Sequence, residues 1–322
     1  MKVSVLGCGR WGGFIAWYLD RTGHTVTSWG LEGTKEITEL MQTHKNKYLS
    51  MPQSVTLTTD LDMAVETADV IIISISSQAL GSFAQSLKKY DLKNKPVVLC
   101  MKGINSETGK RLSEVITEVL GEDNIRVAVW VGPGHVQDYT RGIPNCMVID
   151  SKHEDLKRML VEEFSSDLIR FYYGNDLIGN EVGAAAKNVI GIAAGMLDGA
   201  NLTSLKGALM ARGTREISRL IVAMGGNELT AYGLSHLGDY EATLFSKNSH
   251  NRAYGEGFIK GEKFESLAEG VETSKAMMIL KERYDVEMPI CEAVYSILHK
   301  GENADEVMKK LFLRSIKNEF LS

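Results

Sequence analysis

The 322 residues are 44% hydrophobic and 24% charged, an ordinary soluble globular balance, with a formal net charge of -5. That charge disfavours nucleic acid and anionic membrane surfaces as partners, while a local basic pocket for a small anion stays open. No run reaches the roughly 18 uncharged apolar residues of a membrane span; the nearest, VGAAAKNVIGIAAGML, is short and carries Lys187.

The length predicts two domains. Met1-Lys2 leads straight into the strand KVSVL, so no signal peptide is expected. The glycine turn GCGRWG follows, and RWGGFIAWYLDRTG then places Trp11, Phe14, Ile15, Tyr18 and Leu19 on one helical face. Further strands are predicted at HTVTSW, SVTLT, DVIIISIS, PVVLCM and IRVAVWVG. DVIIISIS is nearly continuous and β-branched, as expected for a strand covered on both faces. ETGKRLSEVITEVLG predicts a helix with Leu112, Val115, Ile116 and Val119 on one face, entered at Glu107-Thr108 and ended at Gly121. NCMVID and IRFYYG extend the sheet as two more strands. Beyond about Asn175 strand patterns give way to helical ones: EVGAAAKNVIGIAAGML, LKGALMARGTREISRLIVAMG, ETSKAMMILKERY, PICEAVYSIL and ADEVMKKLFLRSI. The fold class is therefore an α/β Rossmann-type domain with a mostly parallel sheet, over residues 1–180, followed by an all-α domain, over 181–322. Cys8, Cys100, Cys146 and Cys291 lie far apart and form no C-x-x-C, which fits reduced thiols in a cytoplasmic protein. The histidines are scattered, and no metal is expected.

In a G-x-G-x-x-G turn between strand and helix, Gly7 allows the tight turn, Gly9 the approach of a pyrophosphate, and Gly12 close helix–strand packing. The helix N-terminus adds free N–H groups and partial positive charge. A plain βα turn would carry the same glycines. Glu32 lies about 20 residues beyond Gly12, the spacing at which an acid binds a ribose 2′-OH. No arginine for a 2′-phosphate lies in SWGLEGTKE, although Lys35 is close, so the cofactor is NAD or NADP with a lean to NAD. A solvated loop role for Glu32 stays open.

Four ordered segments carry a more specific signal: the glycine turn, KGINSETGKRLSEV, EVGAAAKNVIGIAAGMLDG and GLSHLGDYEAT with SHNRAYG. Together with MPICEAVYSIL they resemble the soluble bacterial NAD(P)-dependent glycerol-3-phosphate dehydrogenases, in order along nearly the whole chain. The resemblance implies a Rossmann domain and a helical domain with the active site between them. It implies reduction of dihydroxyacetone phosphate to sn-glycerol 3-phosphate, a reaction that feeds phospholipid or other glycerol phosphate chemistry. By motif, Gly7, Gly9, Arg10, Trp11 and Gly12 fall on the cofactor turn, and Lys102 on a lysine approaching substrate and nicotinamide. Gly132, Gly134 and Val136 fall on a loop at the nicotinamide and substrate, and Glu269 near the cofactor. Lys187 falls on the catalytic lysine, Asn188 on a site asparagine, and Asp239 on the site aspartate, with Thr243 following. Ser249, His250, Asn251 and Arg252 fall on the substrate-phosphate segment, where His250 also inherits a cofactor contact. A homodimer is plausible from the resemblance alone.

Three positions depart from the family pattern. His250 replaces the first residue of Arg-Asn-Arg, Gly134 replaces a hydroxyl residue, and Leu31 stands where relatives often place a basic residue or histidine. His135 also stands where the family has Phe or Tyr, either as a substitute contact or as a plain loop histidine. These departures leave the substrate open to a related phosphorylated or phosphonate compound. A catalytically silent NAD-binding protein would have no chemical need for both Lys187 and Asp239. A β-hydroxyacid dehydrogenase of similar two-domain design also uses a lysine, but GDYEAT with SHNRAYG speaks for the glycerol phosphate type.

Chemically, a ketone reductase needs a proton donor beside the hydride source. Lys187 lies among Gly183, Ala184 and Gly191, so close helix packing is expected to desolvate it and lower its pKa. Asp239 would oppose that shift and orient the amine. A lysine reaching out to solvent is the alternative. Lys102 follows an apolar strand, at the end that faces a ligand crevice. Arg252 suits a phosphate monoester through its planar fork. His250 is charged only below about pH 6.5, which predicts weaker or more pH-dependent phosphate binding than in arginine-bearing relatives.

Overall fold

The computed structural model describes residues 1–315 and 318–319. Eight strands form one sheet: β1 Lys2–Leu6, β2 Thr25–Trp29, β3 Thr56–Thr58, β4 Val70–Ile73, β5 Lys95–Leu99, β6 Ile125–Val131, β7 Asn145–Ser151 and β8 Ile169–Tyr173. All eight coincide with predicted strand segments. The order is β3-β2-β1-β4-β5-β6-β7-β8. Every pair is parallel except β6 with β7, which run antiparallel. Chain order reverses between β1 and β4, so their carboxyl ends flank the crevice where such sheets bind ligands.

The sheet helices are α1 Arg10–Arg21, α2 Lys35–Thr43, α3 Leu61–Glu66, α4 Leu80–Leu87, α5 Leu112–Leu120, α6 Val136–Tyr139 and α7 Glu154–Phe164. Buried side chains cover both faces of the sheet, with α1 and α7 on one side and α4 and α5 on the other. All four residues of β4 are buried, which explains its unbroken β-branched run. On α1, Phe14, Ile15, Tyr18 and Leu19 are buried, while Trp11 is only partly so.

One boundary differs from expectation. α5 begins at Leu112, not at Glu107-Thr108. The Asn105 carboxamide oxygen accepts from the N–H groups of Glu107 and Thr108 and from the Thr108 hydroxyl, and these local bonds compete with helix. The Glu114 carboxylate then accepts from the Arg111 backbone N–H at 2.9 Å, at the start of α5.

From Leu177 onward the described residues are helical or irregular: α8 Leu177–Gly199, α9 Lys206–Ala223, α10 His250–Lys260, α11 Glu269–Tyr284, α12 Pro289–Lys300 and α13 Ala304–Phe312. The predicted last helix ran on to Ile316, which lies outside the described residues. Residue 180, the expected domain boundary, falls in the first turn of α8. α8 is buried almost throughout, because its polar residues are few and its small ones let neighbours in. A Cβ at Gly195 would strike the Arg252 carbonyl on α10, and one at Gly255 would strike the Ile192 carbonyl on α8. This close approach fixes the start of α10 beside the middle of α8. No helix among the described residues is long and apolar enough to cross a membrane.

Candidate active site

The glycine turn lies at the carboxyl end of β1. Gly7 has φ +113, a conformation that favours glycine, and its carbonyl occupies the place a Cβ on Gly12 would need. Gly9 is the N-cap of α1 and has no side-chain cap. Nothing would lie within 4 Å of a Cβ on Gly9, so this face of the turn is open. Open space above a glycine, with uncapped N–H groups beneath it, fits the pyrophosphate of a dinucleotide. Glu32 sits in an exposed turn three positions past β2, with no hydrogen bond or ion pair among the described residues. Leu31 beside it is 63% exposed.

On the far side of the crevice, Lys187 projects from α8 and is buried. Its amine pairs with Asp239 Oδ2 and donates to Thr243 Oγ1 at 3.0 Å. Asp239 and Thr243 come from one irregular segment, a 3₁₀ turn Leu237–Asp239 running into a single π turn Glu241–Phe245. Such turns recur at functional sites because they re-aim side chains. Lys102, just past β5, reaches the same Asp239 Oδ2 at 2.8 Å and donates to the Gly132 carbonyl at 2.6 Å. Its Nζ stands 5.8 Å from the Trp11 ring centroid. Burial pushes the Lys187 pKa from 10.5 down to about 7; Asp239 opposes the shift and Lys102 reinforces it. Close packing desolvates the amine as the small residues predicted: Gly183 lies under His236, and Gly191 under Thr243 and Asn251.

A chain of amides braces this cluster. Asn188 donates to the Lys102 carbonyl at 2.9 Å, and Asn251 donates to Asn188 Oδ1 at 3.0 Å. The Gly270 N–H donates to Asn251 Oδ1 at 2.9 Å. The predicted site residues Lys102, Asn188 and Asn251 are thereby connected to the start of α11. Glu269 lies on the other flank, where its carboxylate accepts from the Ser77 N–H and hydroxyl beyond β4. Burial raises its pKa, and the Ser77 bonds oppose that rise.

His250 and Arg252 lie in the first turn of α10, with Ser249 as its N-cap accepting from the Arg252 N–H. The Arg252 guanidinium is taken up by Asp198 at 2.7 Å, Glu256 at 2.9 Å and the Ser246 carbonyl at 3.1 Å. His250 bonds through Nδ1 to the Leu267 carbonyl at 3.2 Å. Its pKa is pushed below 6.5, first by burial and then by the charges of Arg10 and Lys47.

The family described as NAD-dependent glycerol-3-phosphate dehydrogenase matches residues 2–157 with its N-terminus and residues 176–309 with its C-terminus. A relative named glycerol-3-phosphate dehydrogenase [NAD(P)+] from Thermoanaerobacter sp. (strain X514) is 38% identical over 99% of both chains. One of the same name from Fusobacterium nucleatum is 36% identical over 100% of this chain and 99% of its own.

The chain belongs to the NAD-dependent glycerol-3-phosphate dehydrogenase family.

The crystal structure of glycerol-3-phosphate dehydrogenase from Coxiella burnetii superposes with a TM-score of 0.91 at 26% identity, covering 97% of this chain and 99% of that one. D-mandelate dehydrogenase shares only the fold, at 15% identity and a TM-score of 0.64. Against the glycerol-3-phosphate dehydrogenase pattern, the departure at Gly134 acquires a local cause. Gly134 has φ +144, and a Cβ there would run into the Tyr139 ring and hydroxyl. Tyr139 donates to the Pro133 carbonyl at 2.9 Å, so the loop keeps a hydroxyl but commits it internally. Val136 is buried as the first residue of α6.

Two contributors were not singled out in the sequence. Ser77 holds Glu269. His236 donates through Nδ1 to the Gly183 carbonyl at 2.8 Å and accepts from the Tyr240 hydroxyl at 2.7 Å. Gly183 is one helical turn before Lys187, so His236 ties the Asp239 segment to α8. Burial holds its pKa down near 4, so it serves as a neutral strut. The histidine in GLSHLGD was visible, but its partner is a main-chain carbonyl, and no side-chain motif marks that.

Proposed function

We propose that this chain catalyses the NAD(P)-dependent interconversion of dihydroxyacetone phosphate and sn-glycerol 3-phosphate. The observation that carries the reading is the buried Lys187–Asp239–Lys102 cluster facing the glycine-turn crevice. A nicotinamide bound at that turn supplies the hydride chemistry. Gly7, Gly9 and Gly12 would hold its pyrophosphate, and residues 1–180 form the cofactor-binding unit. Residues 181–322 supply most of the substrate contacts.

Lys187 gives a proton to the carbonyl oxygen during reduction and takes it back during oxidation. A pKa about 7 suits both directions near neutrality. An ammonium has three N–H groups. Asp239 and Thr243 engage two on Lys187, and Asp239 and Gly132 engage two on Lys102. Each amine therefore keeps one N–H for the substrate. Asp239 fixes both amines, and Asn188 fixes the backbone that carries Lys102. A second reading, the same reaction on a related phosphorylated or phosphonate compound, draws on the capture of Arg252 by Asp198 and Glu256.

NAD is favoured over NADP because no arginine follows β2. Cytoplasmic location and a homodimer are further parts of the proposal, the dimer tested by sedimentation. The deciding assay follows oxidation of NADH and of NADPH with dihydroxyacetone phosphate. Turnover by the wild type and its collapse in Lys187→Met support the reading. No turnover with either cofactor would refute it.

A further inference from the structure

We propose that Arg10 and His135 form an anion subsite on the sheet side of the crevice, which receives the phosphate of the substrate opposite the start of α10. The inference rests on the reading that the substrate is phosphorylated.

Arg10 leaves the glycine turn and spans the crevice. It donates to the Asn248 carbonyl at 3.3 Å, directly ahead of Ser249, and to Gln137 Oε1 at 3.2 Å. Its guanidinium lies 5.4 Å over the Tyr48 ring. Among the described residues no carboxylate pairs with it. Burial is the main influence on its pKa and acts to lower it. A partly buried cation with only neutral, longish partners is poised for an anion.

His135 supplies a second, independent indication. Its Nδ1 faces Arg10 Nη2 at 3.4 Å. A guanidinium only donates, so Nδ1 carries the lone pair and the ring proton sits on Nε2. Nε2 is buried and has no hydrogen-bond partner. An N–H left without an acceptor in such a place calls for an oxygen from outside the chain. His135 also follows the loop whose Gly132 carbonyl holds Lys102.

On the opposite wall Lys247, two residues ahead of Ser249, is exposed, and the side chains at the start of α10 are already engaged. Arg252 is paired with Asp198 and Glu256, and His250 is neutral near pH 7 and bonded to Leu267. The phosphate of a substrate whose carbonyl carbon lies at Lys187 would meet in Arg10 a partly buried cation that no carboxylate among the described residues pairs with. Arg10 and His135 together take over what the family's first arginine does at position 250.

The test uses Arg10→Gln, His135→Phe and His135→Gln in the full chain, with melting temperatures recorded for each. Phe keeps the ring and loses the donor, whereas the Gln amide restores an N–H at similar reach. In steady state, Arg10→Gln and His135→Phe should raise KM for dihydroxyacetone phosphate about tenfold, with a smaller effect on kcat. KM for NADH should move less than twofold, and His135→Gln should recover most of the loss. The preference for dihydroxyacetone phosphate over unphosphorylated dihydroxyacetone should fall by a similar factor. An unchanged KM for the phosphorylated substrate would overturn the proposal. So would a rise confined to NADH, which would assign the pair to the dinucleotide. Calorimetry with glycerol 3-phosphate and with inorganic phosphate, added to the NAD complex, separates the two readings. Arg10-dependent binding without turnover would sustain the subsite and refute the reaction. Turnover with Arg10-independent binding would do the reverse.

Discussion

Lys102 and Lys187 meet at one atom, Oδ2 of Asp239. Two amines, one just past β5 and one on α8, share one carboxylate oxygen at the crevice. Asp239 therefore holds both amines in place at once.

The first expectation concerns pH. Lys187 must be protonated to reduce a ketone, and its pKa lies at about 7. The kcat for reduction should fall as pH rises through that value, and kcat for oxidation should rise. Linkage has a definite sign here. The folded pKa lies below the unfolded 10.5, so the folded state binds fewer protons between about 7 and 10.5, and this group favours folding increasingly as pH rises across that window. Lys187→Met should cost roughly 10²–10⁴ in kcat and abolish that limb of the pH profile. A mutant profile with the limb intact would remove Lys187 from the role.

Asp239→Asn should leave the buried Lys187 amine and the partly buried Lys102 amine without their carboxylate. Breaking such a pair costs about 3–5 kcal/mol, which urea unfolding would register. Asp239 raises the Lys187 pKa, so its removal should move the kinetic limb to lower pH. A limb that stays in place would show that another group titrates.

Gly9 and Gly12 should separate binding from folding. Gly12→Ala places a methyl against the Gly7 carbonyl and should lower both the melting temperature and NADH affinity. Gly9→Ala meets no protein atom, so the fold should keep its melting temperature while NADH affinity falls at least tenfold. Fluorescence titration with NADH and thermal unfolding measure the two quantities. Unaltered NADH affinity in Gly9→Ala would place the pyrophosphate elsewhere.

Asn251→Ala should cut the amide chain between α11 and Lys102. It leaves Asn188 Oδ1 and the Gly270 N–H without partners, at a cost of roughly 1–3 kcal/mol. With Lys102 less firmly held, kcat should fall along with stability. Wild-type unfolding in urea would show that the chain carries no load.

Much of the fold was legible because its signals are local. β4 shows its burial as an unbroken apolar run, and α1 shows its face at helical spacing. The start of α5 was misread because Asn105 competes for the backbone through side-chain bonds that a charge-and-period reading does not weigh. For the candidate site, motif spacing supplied Lys187, Asp239 and Lys102. It did not reveal that Arg252 spends its fork on Asp198, a residue on the far end of α8. Nor did it reveal that His135 turns an unpartnered nitrogen inward.

By itself the sequence determined the strands, the glycine turn and the identity of the amines and carboxylate, since periodicity, steric need and functional groups are written residue by residue. Only the tertiary structure decided which groups meet. Desolvation of Lys187, the shared oxygen of Asp239 and the uncompensated charge of Arg10 arise from distant segments brought together. Burial and pairing energies depend on that proximity, and position in the chain does not encode it.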